Sequence, residues 1–225
     1  MSSAMHILVL GASGRTGQLV VSEALRRGHQ VTVLVRKAKS FEPAANLNVI
    51  VGTAEHKEDI VHCFQGNYGK PTAVITTLAA PRASDSPFAK PLVPPFFMRD
   101  CMKNLTDVMR EQEVTKLVVL SAFGVGNSFQ QLYLPLRILF RYTNMAVQFE
   151  DHDAVDAHVR ETGLRWTLVR PCMLKDETSK PLRILDEKTS ELGMFASCTR
   201  ANVAEFLVKA AEVQEFEKKA VVIAN

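Results

Sequence analysis

Short apolar segments alternate with longer amphipathic segments along most of the chain. The apolar runs are rich in Val and Ile, which is typical of strands buried on both faces. They lie at Met5–Leu10, Gln30–Val35, Asn48–Val51, Ala73–Thr77, Lys116–Leu120, Arg165–Val169 and Ala220–Ile223. Segments of helical period lie between them at about 15–27, 56–64, 97–113, 145–162 and 200–213. This alternation predicts an α/β protein with a single doubly wound parallel sheet, a Rossmann fold with helices on both faces.

Two stretches interrupt this rhythm, and each follows a predicted strand. The first, at about 79–96, holds five of the ten prolines and is predicted to be a long loop. The second, at about 122–145, contains the apolar cluster LYLPLRILF at 132–140. That cluster fits a short helix packed on the core or, alternatively, a substrate lid or an oligomer contact. Because ligands bind beyond the carboxyl ends of such strands, both stretches are predicted to be substrate loops of one domain spanning 1–225.

Composition and charge are typical of a globular protein and limit the classes of partner that we expect. The formal net charge is only +3 and the charges are interspersed, so we expect no nucleic-acid partner. The apolar runs are far shorter than the roughly 20 residues that span a bilayer, so we expect no membrane partner. The four cysteines are far apart and are expected to be free thiols. Since the N-terminus does not resemble a signal peptide, we expect a cytoplasmic protein.

The segment GASGRTG at 11–17 lies directly after the first predicted strand and opens a predicted helix. This order of strand, glycine turn, helix and second strand within about 30 residues is the context of a dinucleotide site. Gly11 permits the tight turn, Gly14 lets the backbone approach a diphosphate, and Gly17 allows close packing of helix on strand. The alternative is a glycine turn without a ligand. The diphosphate contacts predicted at the helix N-terminus are Gly11, Ser13, Gly14, Arg15, Thr16 and Gly17.

The end of the second predicted strand carries bases where NAD-specific sites usually carry an acid. An Asp or Glu there holds the ribose 2′-hydroxyl of NAD, whereas this chain has Arg36 and Lys37. Arg36 can fork to a 2′-phosphate and stack on the adenine, and Arg15 can approach the same phosphate from the other side. The alternative for Arg36 is a solvated surface charge. The pattern therefore predicts NADP(H) as the cofactor.

These residues resemble the atypical short-chain dehydrogenases/reductases with an NmrA-like, NAD(P)H-binding Rossmann domain, and the resemblance covers nearly the whole chain. Besides the GxxGxxG spacing, it is carried by KLVVLSAFGVG at 116–126, ETGLRWTLVRP at 161–171 and SCTRANVAEFLVKA at 197–210. The size of the chain and EDH at 150–152 are most similar to the biliverdin reductase B/flavin reductase branch. The further cofactor contacts predicted are Arg36, Lys37, Thr53, Thr77, Leu78, Ala79, Ser121 and Pro171.

Two residues are predicted to be catalytic. The Tyr-x-x-x-Lys pair of the broader superfamily is absent, and the resemblance places its two positions on Gln148 and His152. His152 is predicted to donate a proton, since its ordinary pKa of about 6.5 suits this and Asp151 or Asp153 beside it can raise that pKa. Ser121 is predicted to hydrogen-bond a substrate carbonyl or the nicotinamide amide. The alternatives are a solvated helix histidine and a polar cap on a strand end.

The sequence therefore predicts an NADPH-dependent oxidoreductase that reduces a small conjugated or aromatic acceptor, such as a flavin, quinone, enone or tetrapyrrole-like molecule. The resemblance implies the acceptor class and a monomer or weak homodimer. The acceptor pocket is expected at Thr77–Pro81, the proline-rich loop with Phe96 and Phe97, the segment after Ser121, and Pro171–Leu174. Two alternatives are a non-enzymatic NADP(H)-sensing regulatory protein and a biosynthetic isomerase or cyclase on the same fold. No metal site is expected, and Cys172 is expected to be a small packed residue.

Overall fold

The Val- and Ile-rich segments form strands, and apart from Leu47–Val51 at the edge of the sheet their side chains are mostly buried on both faces. The computed structural model describes residues 4–84, 86–177 and 180–225. Its strands are β1 (His6–Leu10), β2 (Gln30–Val35), β3 (Leu47–Val51), β4 (Ala73–Thr76), β5 (Lys116–Leu120), β6 (Arg165–Pro171), β7 (Met173–Lys175), β8 (Arg183–Asp186), β9 (Ser197–Thr199) and β10 (Lys219–Ala224). Each of the seven predicted strands is present, with small shifts at its ends.

Eight of these strands form one sheet in the order β3-β2-β1-β4-β5-β6-β10-β8. All neighbours are parallel except β8, which pairs antiparallel with β10 at the edge. The predicted parallel sheet is present, and the antiparallel edge strand β8 is an addition that the sequence pattern did not predict. β7 and β9, of three residues each, form a separate parallel pair. The sequence pattern did not predict β7, β8 and β9. These strands are too short to carry a buried apolar run, and β8 is also too exposed.

The helices cover both faces of the sheet. They are α1 (Arg15–Arg26), α2 (Lys57–Phe64), α3 (Phe97–Glu111), α4 (Leu134–Arg141), α5 (Met145–Glu161) and α6 (Arg200–Glu212). The apolar side chains of α1 and α6 pack with one face of the strands, and those of α2, α3 and α5 pack with the other. In the described part of the chain, no helix is long and apolar enough to cross a membrane.

A buried carboxylate joins α5 to the start of α3. Asp151 is 2% exposed, and its two oxygens accept the backbone N–H groups of Met98 and Arg99 at 2.9 Å each. It thereby satisfies two of the N–H groups that a helix N-terminus leaves without intrahelical partners. Phe96, at the N-cap position, makes no side-chain cap itself. The contact therefore sets the position of α5, which carries His152, relative to α3.

The strand order creates a crevice at one edge of the sheet. β1 lies between β2 and β4, so the connections that follow β1 and β4 diverge to opposite sides. Ligands of doubly wound sheets bind beyond the carboxyl ends of the strands at such a reversal. The glycine turn that begins at Gly11 and the segment that begins at Thr77 meet there, since Thr77 donates its backbone N–H to the Leu10 carbonyl at 2.9 Å.

Candidate functional site

The glycine turn is packed directly against the end of β4. Gly11 has a φ of +76°, and a Cβ built on it would lie 2.6 Å from the backbone carbonyl of Thr77. The Thr77 hydroxyl donates to the carbonyls of Leu10 and Gly11 at 3.2 and 3.1 Å. Any side chain at position 11 would push the ends of β1 and β4 apart and strain the backbone. The turn predicted for Gly11 is therefore present.

Gly17 and Gly14 have different surroundings. A Cβ on Gly17 would lie 2.3 Å from the Gly11 carbonyl oxygen and 2.8 Å from the Cα of Ala12, which confirms that close packing of α1 on β1 requires a glycine. A Cβ on Gly14 would meet only the Gly11 oxygen, at 3.3 Å. Its remaining side faces the cavity described below.

The N-terminus of α1 is suited to an anion. Gly14 is its N-cap, has no side-chain cap, and is followed by no acidic residue in the first turn. Backbone N–H groups in a first turn have no intrahelical acceptor, and the helix dipole adds positive potential there. These residues fit the diphosphate of a dinucleotide, which would supply the missing acceptors.

The predicted ribose edge beside β2 carries two exposed basic side chains. Arg36 and Lys37 are exposed, and neither side chain forms a hydrogen bond or ion pair within the described residues. Thr53 donates its backbone N–H to Asp59 at 2.9 Å and its hydroxyl to Glu55 at 3.1 Å. Arg36 is thus available to a phosphate, whereas Thr53 is engaged by neighbouring acids.

An ion-pair cluster links the glycine turn to α6. The Nη1 of Arg15 lies 3.7 Å from Asp176, and Arg200 donates to the other oxygen of the same carboxylate at 2.7 Å. Asp176 follows β7, and Arg200 begins α6. Sequence analysis missed both residues, because Asp176 lies outside the quoted motifs, Arg200 carries no predicted role within 197–210, and only the fold brings them to the turn.

A cavity of about 780 Å³ extends from the glycine turn across the ends of β4, β5 and β6 to α4 and α5. Its volume lies in the range of small-molecule sites. The predicted site residues that line it are Gly14, Arg15, Thr16, Gly17, Thr77, Leu78, Ala79, Ser121, His152 and Pro171. The predicted residues that do not line it are Gly11, Ser13, Arg36, Lys37 and Thr53. The cavity therefore joins the predicted diphosphate end of the site to a second volume next to α4 and α5.

The walls of this second volume are apolar and aromatic. They include Phe123, Leu132, Tyr133, Leu136, Leu139, Phe140, Met145 and Phe149. The rings of Phe140 and Phe149 stack at 4.3 Å between centroids. Phe96 and Phe97 do not line the cavity, so their expected place in the pocket is wrong. The Phe96 ring lies instead beneath the Arg99 guanidinium, at 4.4 Å, and Phe97 packs against the core.

The cluster at 132–140 forms a short helix, as predicted, but its packing differs from the prediction. No residue of α4 is buried, and Leu134 and Ile138 are 67% and 51% exposed. Its inner side chains face the cavity rather than the core. Packing of α4 on the core is therefore wrong, because the space beneath this amphipathic helix is the cavity.

One face of α5 lines the cavity. Met145, Gln148, Phe149 and His152 all line the cavity, and their spacing of three, four and seven residues places them on one side of the helix. Gln148 was not predicted as a site residue. This helical spacing from His152 is the sequence signal that identifies it.

Ser121 directly follows β5 and lines the cavity. Its backbone N–H donates to the Val169 carbonyl at 2.7 Å, but its buried hydroxyl has no hydrogen-bond partner within the described residues. A buried hydroxyl without a partner is unfavourable. A polar group of a ligand in the cavity would satisfy it, which fits the nicotinamide amide or a substrate carbonyl.

The electrostatics of His152 differ from those predicted. Burial lowers the pKa of His152 to about 4, and Asp156 only partly opposes this effect. Asp151 caps α3, and Asp153 accepts the backbone N–H of Gly126 at 2.6 Å. The expectation that Asp151 or Asp153 raises the pKa of His152 is therefore wrong, because both carboxylates are engaged elsewhere. At neutral pH the ring is uncharged and can donate one hydrogen bond.

Buried charges support the segment between β5 and α4. Arg170 is fully buried and donates to Asn127 at 2.7 Å and to Asp156 at 2.6 Å. Gly126 has a φ of +58°, and a Cβ there would lie 2.9 Å from the Arg170 guanidinium. Because a buried charge is costly unless it is paired, this arrangement holds the loop on β6. It positions the segment that leads to the cavity wall.

Neither thiol chemistry nor metal chemistry is indicated in the described residues. Cys172 lines the cavity, but burial raises the pKa of its thiol to about 12, so it stays protonated at neutral pH. No group of three or more His, Cys, Asp or Glu side chains that could hold a metal ion occurs in residues 4–84, 86–177 and 180–225.

Comparison with known proteins places these features in a family. The NAD(P)H-binding family matches residues 11–214. Two uncharacterized chloroplastic proteins of Arabidopsis thaliana are each 27% identical to this chain. The first alignment covers 98% of this chain and 70% of its relative, and the second covers 96% and 75%.

Solved structures share the fold at low sequence identity. The oxidoreductase ylbE of Lactococcus lactis has a TM-score of 0.77 at 17% identity, with 98% of this chain and 91% of that chain covered. A Veillonella parvula short-chain dehydrogenase/reductase in complex with NADP has a TM-score of 0.76 at 14% identity, with 98% and 94% covered. The anaerobilin reductase ChuY of Escherichia coli O157:H7 has a TM-score of 0.74 at 14% identity, with 97% and 96% covered. The fold class predicted from the sequence is confirmed.

Substitution of Gly14 and of Gly17 by Ala should separate binding from folding. Gly17→Ala forces a Cβ into backbone atoms and should destabilise the protein by about 3 kcal/mol or more. Gly14→Ala should cost less than about 1 kcal/mol of stability but reduce NADPH affinity about tenfold or more, because Gly14 is the N-cap of α1 and lines the cavity at the anion site. Urea unfolding and calorimetric titration measure the two effects. Equal destabilisation by both substitutions would contradict this geometry.

Proposed function

Because this chain belongs to the NAD(P)H-binding family, we propose that it is an NADPH-dependent oxidoreductase that reduces a small conjugated or aromatic acceptor. The observation that carries the proposal is the continuous cavity, which joins an uncapped helix N-terminus to an aromatic-walled volume. Ser121 and His152 lie in the wall of that cavity. Such an arrangement suits a cofactor and a planar acceptor held in contact.

Different residues of the chain bind the cofactor and orient the reacting groups. The first turn of α1 holds the diphosphate, and Arg36 with Lys37 holds the ribose phosphate. The Ser121 hydroxyl orients the nicotinamide amide or the acceptor carbonyl. Bound NADPH supplies the reducing equivalent, as cofactors of this class do. The apolar walls exclude water from the acceptor and thereby strengthen each polar contact in the cavity.

His152 acts in this proposal as a neutral hydrogen-bond donor. Burial holds its pKa far below neutrality, so it contributes no imidazolium proton at physiological pH. A neutral imidazole can still stabilise negative charge that develops on an acceptor oxygen or nitrogen. The proton that completes the reduction then comes from solvent.

We further propose that residues 1–225 act as one domain, as a monomer or weak homodimer, in the cytoplasm. The central sheet takes strands from His6 to Ala224, which supports the single domain. The two Arabidopsis relatives are chloroplastic proteins, and the proposal for this chain does not adopt that location.

A regulatory protein that senses NADP(H) is the second candidate. The exposed outer side of α4 favours it, since Leu134 and Ile138 present apolar surface next to the cavity. A sensor requires different affinities of its free and liganded states for a protein partner. It would bind NADPH and reduce no acceptor.

The proposal is tested by NADPH oxidation in the presence of flavins, quinones, enones and tetrapyrroles. At least one acceptor should raise the rate of NADPH loss in a saturable way, because the aromatic volume holds it beside the cofactor. The absorbance of NADPH measures this rate. If none of the acceptors is reduced although NADPH binds, the oxidoreductase proposal fails and the sensor is favoured.

Replacement of Arg36 by Ala should weaken NADPH binding about tenfold to a hundredfold, since it removes a charge-assisted contact worth about 1.5 to 3 kcal/mol. NADH binding should stay nearly unchanged. Arg110→Ala, which removes an exposed charge on α3, is the matched control. Calorimetric titrations of both cofactors measure the effect. A native protein that binds NADH as tightly as NADPH would disprove the NADP preference.

Replacement of His152 by Ala should lower turnover about 10²-fold with little change in NADPH affinity, because one hydrogen-bond donor in the cavity is lost. His152→Gln keeps a donor and should retain more activity. Because the pKa of His152 is about 4, the ring is neutral above about pH 5 and the native and Ala enzymes should have parallel pH profiles above it. A limb near pH 6.5 that only the native enzyme shows would instead support a protonated His152.

A further inference from the structure

Arg82 lies in the wall of the cavity at a position fixed by its own loop. Residues 81–84 pair with residues 86–92 through two backbone hydrogen bonds, Ala83 N–H to Lys90 O (3.0 Å) and Leu92 N–H to Pro81 O (2.9 Å). The amide of Asn144, at the N-cap of α5, donates to the carbonyl of Phe88 at 2.8 Å. The loop is thereby tied to α5, and Arg82 is held close to the face of α5 that lines the cavity.

The guanidinium of Arg82 has unused donors. Its Nη1 donates to the backbone carbonyl of Ser86 at 3.1 Å. Within the described residues this is its hydrogen bond, and it forms no ion pair with a carboxylate. The Nε and Nη2 groups therefore remain, and this edge of a guanidinium forks to a carboxylate through two parallel hydrogen bonds.

Gln148 complements Arg82 at this place. Both residues line the large cavity and also a small depression beside it, so they are neighbours. The Gln148 amide makes no hydrogen bond to the residues that the structure describes. Asp151 also borders the depression, but its oxygens accept the backbone N–H groups of α3 and it forms no ion pair with Arg82. An N–H of Gln148 and the free edge of Arg82 are thus both available to an anion.

The three arginines that line the cavity differ in their acidic partners. Among the described residues that line the cavity there are three arginines, Arg15, Arg82 and Arg200, and no Asp or Glu. Arg15 and Arg200 share Asp176 at the diphosphate end. Arg82 lies instead beside α5, with the aromatic walls. Its charge is therefore placed for a second anion, distinct from the dinucleotide.

We propose that Arg82 and Gln148 form a carboxylate-binding subsite and that the acceptor is an acidic molecule with a conjugated or aromatic body. The inference rests on the proposed oxidoreductase function. The carboxylate would lie on Arg82 and Gln148, while the planar body lies against Phe149 and reaches His152 one helical turn from Gln148. Arg82 acts on specificity, because its contact is equal before and during reduction and so lowers KM rather than raising kcat.

The kinetic test uses a quinone that carries a carboxylate and its methyl ester. The native enzyme should have a lower KM for the acid than for the ester. Arg82→Gln should raise the KM for the acid about tenfold to a hundredfold and leave the KM for the ester and both kcat values nearly unchanged. Arg82→Lys keeps the charge but loses the fork and should be intermediate. Arg110→Gln is the control. Equal KM changes for acid and ester would overturn the subsite.

A binding test keeps the subsite separate from the reductase proposal. Calorimetric titration of the NADP⁺-saturated protein with 2-naphthoate and with 2-naphthamide should give tighter binding of the acid. Both Arg82→Gln and Gln148→Leu should reduce that difference. If no acceptor is reduced but naphthoate binding depends on Arg82, the reductase proposal fails and the subsite stands. If the native protein binds naphthoate no tighter than naphthamide, the subsite is wrong whatever the kinetic result.

Discussion

The candidate site depends on the close contact between the turn at Gly11 and the end of β4 at Thr77. A Cβ at position 11 or at position 17 would collide with backbone atoms, so two glycines allow α1 to begin directly above the strand ends. The N-terminus of α1 then faces the crevice opened by the strand order β2-β1-β4. In this way the edge of the sheet gains an anion site built from backbone N–H groups.

Paired buried charges hold the acceptor side in place. Asp151 binds the N-terminus of α3, and Asp156, one turn and a half further along α5, binds Arg170 of β6. Both contacts use oxygens of α5, so this helix is held from two neighbouring elements at once. An unpaired buried charge is costly, which makes displacement of α5 unfavourable. His152 and Gln148 are carried to the cavity by this rigid support.

The same environment governs the chemistry that the cavity can perform. Apolar walls keep His152 neutral, and the absence of acids among the described lining residues leaves the arginines to dominate the local potential. A charge on a ligand interacts more strongly with charged side chains where water is excluded. The cavity wall therefore carries positive charge at Arg15 and Arg200, again at Arg82, and a neutral hydrogen-bond donor at His152.

The sequence by itself determined the alternating strands and helices, the glycine turn and the family, because burial on both faces and the lack of space for a Cβ are local demands on residue type. The tertiary structure alone decided the antiparallel edge strand β8, the cavity beneath α4 and the pKa of His152. These three features depend on contacts between distant segments. The sequence of α4 is amphipathic whether the helix packs on a core or covers a cavity. Asp151 and Asp153 flank His152 in the sequence, but their carboxylates bind α3 and Gly126. Arg82 shows the same limit, since only the fold places its loop on α5.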